Sequence, residues 1–361
     1  MPQIDTLTSG AAATGRHKSG SSRDLRPRST GSGSWPEGTA DPSIVVKERV
    51  QFPSDCSFRV LRWENDLDAV SLVVSPKDQR LIAGEGSHWH YHRHLELTLF
   101  EEGSGTRFVG DRIESFAAGD IVLLGESLPH YWKTNGPSSG VSVQWYFEPT
   151  HPFWGLAESG CLAKHLASAV RGIQYTGVIA SQIALLMRRL LRSDGLNRLG
   201  VFFQLLAETA EAPVSCREFL ATRAFCLNDC FDHHDRMREA IRFILTHFRE
   251  HIGLGDILKI THMSKPTFCR QFKRHTGKSL SSFLQEVRLQ SACRELATTR
   301  MPIIDVAYGS GFSQVSFFNR LFLRTQGCSP SEFRSRSTTS DMKPEIIDFN
   351  SNDGLSRDET R

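Results

Sequence analysis

Four histidines, His88, His90, His92 and His94, alternate with other residues along one short stretch of the chain, and Glu96 continues the same parity. Alternate side chains of a β-strand lie on the same face, so the imidazoles and the carboxylate would share one face. Both groups are ligands for metals such as Mn, Fe, Ni or Zn, and both also form hydrogen bonds with polar molecules. The stretch therefore predicts a metal centre or a polar ligand pocket.

Seven residues near the C-terminus recur fifty positions later. They are Phe268, Arg270, Phe272, Arg274, Gly277, Ser279 and Phe283, and they recur as Phe318, Arg320, Phe322, Arg324, Gly327, Ser329 and Phe333. A repeat at a fixed offset indicates a duplicated structural unit. Each Phe-x-Arg-x-Phe run places two aromatic side chains on one face of a helix, and the following Gly can end that helix. Each unit is therefore predicted to contain a helix with a buried aromatic face and a basic exposed face.

The residues before each repeated helix indicate a second, shorter helix and a turn. Residues 254–260 form one short amphipathic pattern, and residues 302–307 form the other. Ser264 can cap the helix that follows it, and Pro266 suits the first turn of that helix. Residues 279–298 have apolar side chains at helical spacing, enough for a connecting helix of about 20 residues and about 30 Å. This order predicts a helix-turn-helix in duplicate.

Positive charge is concentrated in the same part of the chain. Residues 236–336 contain 17 Lys and Arg against 7 Asp and Glu, a net charge of +10, although the whole chain carries only +3. Such a concentration is typical of a domain that binds a polyanion, here double-stranded DNA. The alternative is a small helical bundle with a solvated basic face.

Residues from about 238 to 334 resemble the DNA-binding region of AraC-type transcription regulators. The matching residues are Val306, Ala307, Gly311, Phe312, Phe318, Arg320, Phe322, Gly327, Ser329, Pro330, Phe333 and Arg334. The first unit departs from the family pattern at its turn, where His262 replaces the usual Gly and Leu258 replaces the usual small Ala. The resemblance implies a sequence-specific transcription regulator, an activator that works with RNA polymerase.

Each repeated helix is expected to turn one face to the major groove of DNA, because its Phe pair faces the core. The residues left toward the groove are Lys265, Pro266, Thr267, Cys269 and Arg270 in the first helix, and Gln314, Val315, Ser316, Asn319 and Arg320 in the second. Arg pairs with guanine, Asn and Gln pair with adenine, and Pro or Val contacts a thymine methyl group.

Short β-rich runs separated by turns occupy residues 44–147 and predict an all-β sandwich or barrel. Within them His90, His92 and Glu96, followed later by a Gly-Asp pair and by His130 after a proline, resemble the two motifs of the cupin fold. The resemblance implies that these four residues, called the quartet below, fill the positions of the cupin metal ligands.

Three roles for the quartet remain open: a divalent metal site, a metal-independent effector pocket and a structural role. In AraC-type regulators the barrel generally serves as an effector pocket, so the quartet and Trp132 are assigned to effector binding. A sugar is the expected effector, with Trp89, Tyr91, Tyr131 and Trp145 as further aromatic lining. No catalytic residue and no cofactor is expected. The alternative function is a metal-dependent cupin enzyme fused to a DNA-binding region.

The expected fold is multi-domain α+β. Its parts are a disordered segment at 1–42, a cupin-like β-barrel at 43–150, a helical linker and dimerisation segment at 151–232, an all-α DNA-binding domain with two helix-turn-helix motifs at 233–336, and a disordered tail at 337–361. The linker is expected to be helical because it has apolar stripes, at Leu162, Leu166, Val170 and Ile173 and at Ile179, Ile183, Leu186 and Leu190. These helices either pack on the barrel as a hairpin or pair in a homodimer. The DNA-binding domain is expected to fold around a separate core of its own.

Composition is typical of a soluble globular chain, with 39% hydrophobic and 23% charged residues. No apolar run approaches the length of a membrane span, and the N-terminus has no hydrophobic signal segment, so a cytoplasmic protein without a membrane partner is expected. Eight Cys residues show no disulfide-framework spacing. Cys226, Cys230, His233 and His234 cluster in the sequence, but their spacing is not that of a standard zinc site.

Overall fold

The computed structural model describes residues 57–84, 86, 88–225 and 233–340, with side chains up to residue 337. The predicted N-terminal segment 1–42, the pair Cys226 and Cys230, and the tail beyond 340 lie outside the described residues. The last helix continues to Ser340, past the predicted start of the tail at 337. Within the described ranges, no helix combines the length and the apolar character needed to cross a membrane.

Eleven strands of the described residues form two antiparallel sheets. They are β1 (Phe58–Asn65), β2 (Ala69–Ser75), β3 (Asp78–Ala83), β4 (Leu95–Glu102), β5 (Gly105–Val109), β6 (Arg112–Phe116), β7 (Ile121–Leu124), β8 (His130–Thr134), β9 (Ser138–Trp145), β10 (Ile173–Tyr175) and β11 (Arg217–Phe219). The large sheet has the order β11-β10-β7-β4-β9-β1-β2-β3, and the small sheet has the order β6-β5-β8. The predicted sheet-rich region is confirmed. Among the described strands neither sheet closes into a barrel, so the two form an open sandwich.

The two sheets pack face to face through aromatic side chains. The ring of Phe100 on β4 lies 4.2 Å from that of Phe116 on β6 and 6.0 Å from that of Trp132 on β8. Alternation along β4 places Leu97 and Leu99 on the opposite face of the large sheet, in a separate apolar core. The even-numbered residues of β4 therefore face the interior of the sandwich.

Three helices cover that opposite face of the large sheet: α1 (Ser159–Ser168), α2 (Gly177–Leu190) and α3 (Gly195–Glu211). Their buried side chains, including Leu166, Ile183 and Phe202, share a core with the sheet, and α2 and α3 pack against each other as a hairpin. The predicted helical stripe ends early, because Val170 lies in a short 3-10 helix (Ala169–Arg171) and Ile173 begins β10. Residues 57–225 are called the sheet region below.

Seven helices form the C-terminal region: α4 (His234–His247), α5 (Leu254–Thr261), α6 (Lys265–Thr276), α7 (Leu280–Thr298), α8 (Ile303–Gly309), α9 (Val315–Gln326) and α10 (Pro330–Ser340). The predicted duplication is confirmed, with α5 and α6 as the first unit and α8 and α9 as the second. The Ser264 hydroxyl caps α6, and Gly277 and Gly327 end the two repeated helices with φ of 70° and 68°. The connecting helix α7 has 19 residues.

The expectation of a separate core for the DNA-binding domain is wrong for the first unit and right for the second. Phe268 and Phe272 of α6 belong to one apolar cluster with Trp89 and Phe108 of the sheet region. The second unit, by contrast, packs around Phe318 and its neighbours in a cluster formed only by residues from 289 onward. Apolar side chains on the outer face of the small sheet needed a partner surface, and the first unit covers them.

Candidate functional site

The quartet lies inside the sandwich, and all four of its side chains are buried. His90 and His130 are brought together by a β-bridge, in which each backbone N–H donates to the other residue's carbonyl, at 3.1 and 2.9 Å. The candidate ligand atoms of His90, His92, Glu96 and His130 all lie within 4.8 Å of one another. The structure thus brings together the four residues that the sequence singled out.

Backbone carbonyls fix the orientation of the three imidazoles. The Nδ1 atoms of His90, His92 and His130 lie 2.7, 2.8 and 2.8 Å from the carbonyl oxygens of His88, His94 and Leu128. A carbonyl oxygen only accepts, so each Nδ1 carries a proton and donates it. A neutral imidazole held in this way presents the lone pair of Nε2, which is the usual arrangement of metal-binding histidines.

Glu96 is the acceptor at the centre of the group. Its Oε2 lies 2.9 Å from His92 Nε2 and accepts a hydrogen bond from Gln144 Nε2 at 2.8 Å, while its Oε1 accepts from the Thr98 hydroxyl at 2.5 Å. Burial alone would raise the pKa of Glu96, but the hydrogen bond and charge of His92, with His130 and Thr98, hold that pKa well below its usual value. Glu96 is therefore ionised, and because both nitrogens of His92 face acceptors, His92 either carries both protons or shares a cation with Glu96.

His130 is the unsatisfied member of the quartet. Its Nε2 is buried without a hydrogen-bond partner among the described residues, and it lies 4.0 Å from Glu96 Oε2. Burial, together with the charges of His90 and His92, lowers the pKa of His130 well below its usual value against the opposing effect of Glu96. His130 is therefore neutral, and its Nε2 presents a lone pair to the group.

The donor set fits a divalent cation. Metal–nitrogen and metal–oxygen bonds of about 2.0–2.2 Å place neighbouring ligand atoms roughly 3–4 Å apart, and the four candidate ligand atoms all lie within 4.8 Å of one another. Three imidazole nitrogens and one carboxylate suit Zn, Fe, Mn or Ni. His90, His92, Glu96 and His130 would hold the ion.

A cavity of about 50 Å³ lies beside Glu96, between the two sheets. Its walls combine polar groups, Arg59, His90, Glu96, Thr98, Ser142 and Gln144, with aromatic rings, Trp63, Phe100 and Trp132. At roughly 10–15 Å³ for each water, this volume holds a few waters or an ion. Pockets for small organic ligands are typically about 300–1,000 Å³, so a sugar enters only if wall side chains move.

Of the predicted aromatic lining, only Trp132 lines the cavity as the structure describes it. Trp89 and Tyr131 pack outward on the first helix-turn-helix unit, Tyr91 contacts His234 and His275, and Trp145 faces the helices on the large sheet. The predicted strand with four histidines on one face is wrong: within residues 88–94 only His90 forms a bridge, His88 is exposed and His94 is half-buried. Alternation holds around the bridge, where His90 and His92 turn inward and their neighbours Trp89 and Tyr91 turn outward.

Sequence reasoning missed the polar wall of the large sheet. Gln144 on β9 lies directly opposite Glu96 on β4 and Arg59 on β1, and Ser142 lies opposite Thr98. The signal was the polar parity within the otherwise apolar run of β9, where Ser142 and Gln144 alternate with Val141, Val143 and Trp145.

The predicted DNA-facing residues are accessible on both repeated helices. Thr267 and Val315 are half-buried, and the other eight, Lys265, Pro266, Cys269, Arg270, Gln314, Ser316, Asn319 and Arg320, are exposed. Phe268, Phe272, Phe318 and Phe322 are fully buried, as the repeat predicts.

The turns of the two units differ in backbone chemistry. His262 ends α5 with φ of 49°, a left-handed conformation that is costly for a residue with a Cβ. The second turn uses Gly311 with φ of 88°, where a Cβ would approach the Phe248 carbonyl oxygen to 2.7 Å. The departure noted in the sequence is therefore a strained turn in the first unit.

Comparisons with known proteins agree with the helical architecture. A family model described as a helix-turn-helix domain matches residues 257–336. The arabinose operon regulatory protein of Salmonella typhimurium is 33% identical over 255 residues, which cover 67% of this chain and 83% of the relative. The HTH-type transcriptional activator RhaS of Pectobacterium carotovorum is 22% identical over 287 residues, covering 74% of this chain and 94% of the relative. A solved structure, the DNA-binding domain of the global transcriptional factor AdpA in complex with a target DNA, is 27% identical and covers 29% of this chain and 95% of that one, with a TM-score of 0.28.

Proposed function

The chain belongs to the AraC family of helix-turn-helix transcription regulators, and we propose that it is an activator whose DNA binding responds to a ligand in the sandwich. The observation that carries this proposal is the position of the quartet. His130 lies on β8 and His90 forms a bridge to it, while their neighbours Tyr131 and Trp89 pack in the apolar core shared with the first helix-turn-helix unit. A ligand that moves β8 and the segment around His90 therefore acts directly on a DNA-binding element.

The route from the cavity to the DNA-binding unit is the short segment from Trp89 to His92. His90 and His92 point toward Glu96, and between and beside them Trp89 and Tyr91 point toward the C-terminal region. The Trp89 ring lies 6.3 Å from that of Phe283 on α7, edge to face. The Tyr91 ring lies 4.6 Å from that of His234 at the start of α4. A displacement of His90 and His92 would therefore also move Trp89 and Tyr91, which contact α7 and α4.

DNA recognition is assigned to the exposed faces of α6 and α9. At 1.5 Å per residue the connecting helix α7 is about 28 Å long, close to the roughly 34 Å between successive major grooves on one face of the duplex. Footprints should show two protected blocks about ten base pairs apart for each protomer. Replacing Asn319 or Gln314 by Ala should relax base preference in one block, at a cost of about 1–3 kcal/mol for the preferred sequence. Uniform weakening on every sequence would instead assign those side chains to phosphates.

The effector pocket is assigned to the quartet and Trp132. A polar wall facing aromatic rings suits a sugar, whose hydroxyls form hydrogen bonds while a ring face packs on Trp132. Because the cavity is small, binding of a sugar requires outward movement of wall side chains, and that movement supplies the signal.

A divalent cation in the quartet is the second candidate, favoured by the four candidate ligand atoms lying within 4.8 Å of one another and by the unsatisfied Nε2 of His130. It would supply positive charge to Glu96 and fix the separation of the two sheets. A metal-dependent enzyme would require the same set of three imidazoles and one carboxylate around a divalent cation. Metal analysis of the purified protein is therefore the first measurement to make.

The test uses the full chain with His92→Ala and Glu96→Gln. A thermal-shift screen of sugars, with DNA affinity measured alongside, should find a stabilising sugar for the parent protein and none for either variant. A metal site would instead show stoichiometric metal and sensitivity to chelators in the parent, both lost in the variants. If both variants respond to the identified ligand as the parent does, the pocket lies elsewhere and this part of the proposal fails.

Dimerisation is assigned to α2. Val178 and Leu185, 74% and 66% exposed, lie seven residues apart on one helical face and have no apolar cover in the described structure. A homodimer would cover them and place two protomers on one operator, where an activator also contacts RNA polymerase. Sedimentation of Leu185→Lys should show a shift toward monomer, and an unchanged dimer would move the interface away from α2.

A further inference from the structure

A groove of about 310 Å³ lies between the small sheet and α4. Trp89, Tyr131 and Lys133 line it from the sheet region. Their neighbours His90 and Trp132 line the buried cavity instead. The groove is therefore a separate site on the opposite face of the same strands.

Cations concentrate in this groove. Lys133, Arg238, Arg242 and Arg249 line it, and the described lining residues include no carboxylate. Arg249 lies 3.8 Å from Glu295, whereas Arg238 and Arg242 form no ion pair within the described ranges. Lys133 donates to the Leu245 carbonyl near the end of α4, at 3.0 Å. Among the described residues, three positive charges of the groove thus lack a carboxylate partner.

Aromatic and aliphatic side chains form most of the rest of the groove, together with His88 and Thr246. Trp89 and Phe248 are almost fully buried and Tyr131 is half-buried. The Trp89 Nε1 is buried without a hydrogen-bond partner in the described part of the chain. Flat aromatic walls beside unpaired cations fit a ligand that has a charged head and a ring body.

We propose that this groove binds a small organic anion, a carboxylate or phosphate ester with an aromatic body, held between Lys133 of the sheet region and Arg238 and Arg242 of α4. The volume is at the lower end of small-ligand pockets. A DNA duplex cannot enter a groove of this size. A small ligand can therefore contact the aromatic side chains of the groove, whereas a phosphate of the DNA backbone cannot.

The consequence is a second input to the regulator, independent of the sandwich cavity. The anion contacts both the sheet region and α4, so its binding strengthens the packing of one on the other. This inference goes beyond the proposed effector pocket and does not depend on what that pocket binds.

The experiment is calorimetric titration of the full chain, without DNA, with phenylacetate, phenyl phosphate and the neutral isostere phenylacetamide. Both anions should bind saturably, and the amide should bind at least about tenfold more weakly because it lacks the charge. Arg242→Gln should weaken binding of both anions about tenfold. Arg236→Gln is the matched control, since Arg236 is an exposed residue of the same helix that does not line the groove.

Three results would overturn the inference. They are absence of saturable binding by both anions, equal affinity for the amide, and equal loss of binding in Arg236→Gln. DNA titrations provide a further arm. If Arg242→Gln lowers affinity for every DNA sequence and reduces the salt dependence by about one charge, the groove serves DNA phosphates and the inference is wrong. Because no arm uses the quartet, failure here leaves the proposed function standing.

Discussion

The two helix-turn-helix units come from one repeated pattern, yet among the described residues only the first shares an apolar cluster with the sheet region. Phe268 of the first unit packs in a cluster with Trp89 and Phe108, whereas the equivalent Phe318 packs in a cluster confined to the C-terminal region. The repeated residues build the same helix pair twice. The residues that differ between the repeats decide which unit packs on the sheet region and can therefore respond to a ligand bound there.

Two equivalent positions show this difference. Gly277 and Gly327 end their helices in the same left-handed conformation, but a Cβ at 277 would lie 2.5 Å from Asp111 Cβ, while nothing lies within 4 Å of one at 327. His275 is buried beside Tyr91, and its counterpart Thr325 is exposed. At these two positions the first unit packs closely on the sheet region and the second does not.

The largest expected effect comes from Trp89→Ala. It removes a buried aromatic side chain from the shared core and should cost about 3–5 kcal/mol of unfolding free energy. Hydrogen exchange should show lost protection in α6 with little change in α9. Phe312→Ala is the matched change in the second core, and it should show the reverse pattern. Equal loss in both units after either change would contradict the comparison.

Alanine substitutions at Gly277 and Gly327 measure how closely each unit packs on its surroundings. Gly327→Ala should cost about 1–2 kcal/mol, because alanine is strained in the left-handed conformation. Gly277→Ala adds a steric clash with Asp111, so its cost should be larger by about 1–3 kcal/mol. Denaturant unfolding of the two full-length variants measures the difference, and equal costs would show that the sheet region does not press on the first unit.

Acid should loosen the first unit before the second. Burial, with the charges of His234, Arg274 and His233, lowers the pKa of His275 to about 3, and burial with Arg238 and His90 lowers that of His234 to about 4. Unfolding restores ordinary values near 6.5, so the unfolded chain binds protons more tightly. The free energy of unfolding therefore keeps its full value above pH 6.5. As the pH drops from 6.5 toward the folded pKa, that free energy decreases by about 1.4 kcal/mol per pH unit for each histidine.

Hydrogen exchange between pH 7 and pH 5, corrected for the intrinsic pH dependence of exchange, checks this expectation. Peptides of α4 and α6 should lose protection and those of α9 should not. His275→Leu serves as the control, because it removes one titrating group and should reduce the pH dependence. An α9 that loosens in parallel would count against the comparison.

The smallest expected effect concerns the turns. His262→Gly should stabilise the first unit by about 0.5–1 kcal/mol, since glycine relieves the left-handed strain at some cost in unfolded-state entropy. Thermal unfolding of the full chain measures the change. A loss of stability would mean that the imidazole makes a contribution that outweighs the strain.

Much of the C-terminal region was predictable because its determinants are local. Helical spacing, the Ser264 cap and the two glycines fix α5 to α9, and exposure of Asn319 and Gln314 follows from burial of the Phe pairs. The sequence also singled out the quartet, and its members do come together, although period two wrongly predicts a strand that carries His88 and His94 on the same face. Contact of the predicted residues with DNA or with a ligand stays a prediction.

What the sequence could not show is which surfaces meet. Period two places Trp89 on the face opposite His90, so the expectation that both residues line one pocket conflicts with the pattern itself. Ile173 fits the helical stripe in the sequence because a three-residue strand such as β10 carries too little pattern to recognise. The pairing of Arg59 and Gln144 across β1 and β9 depends on strand order, which follows from long-range contacts and not from local spacing.

The most direct test of the central claim, that the quartet acts on DNA binding through the first unit, is hydrogen exchange of full-length Glu96→Gln. This change removes the charge that holds His92, Thr98 and Gln144 and should loosen the segment that carries Trp89. We expect faster exchange in α6 and the start of α7, with α8 and α9 unchanged. Unchanged exchange in α6, or an equal increase in α6 and α9, would contradict it.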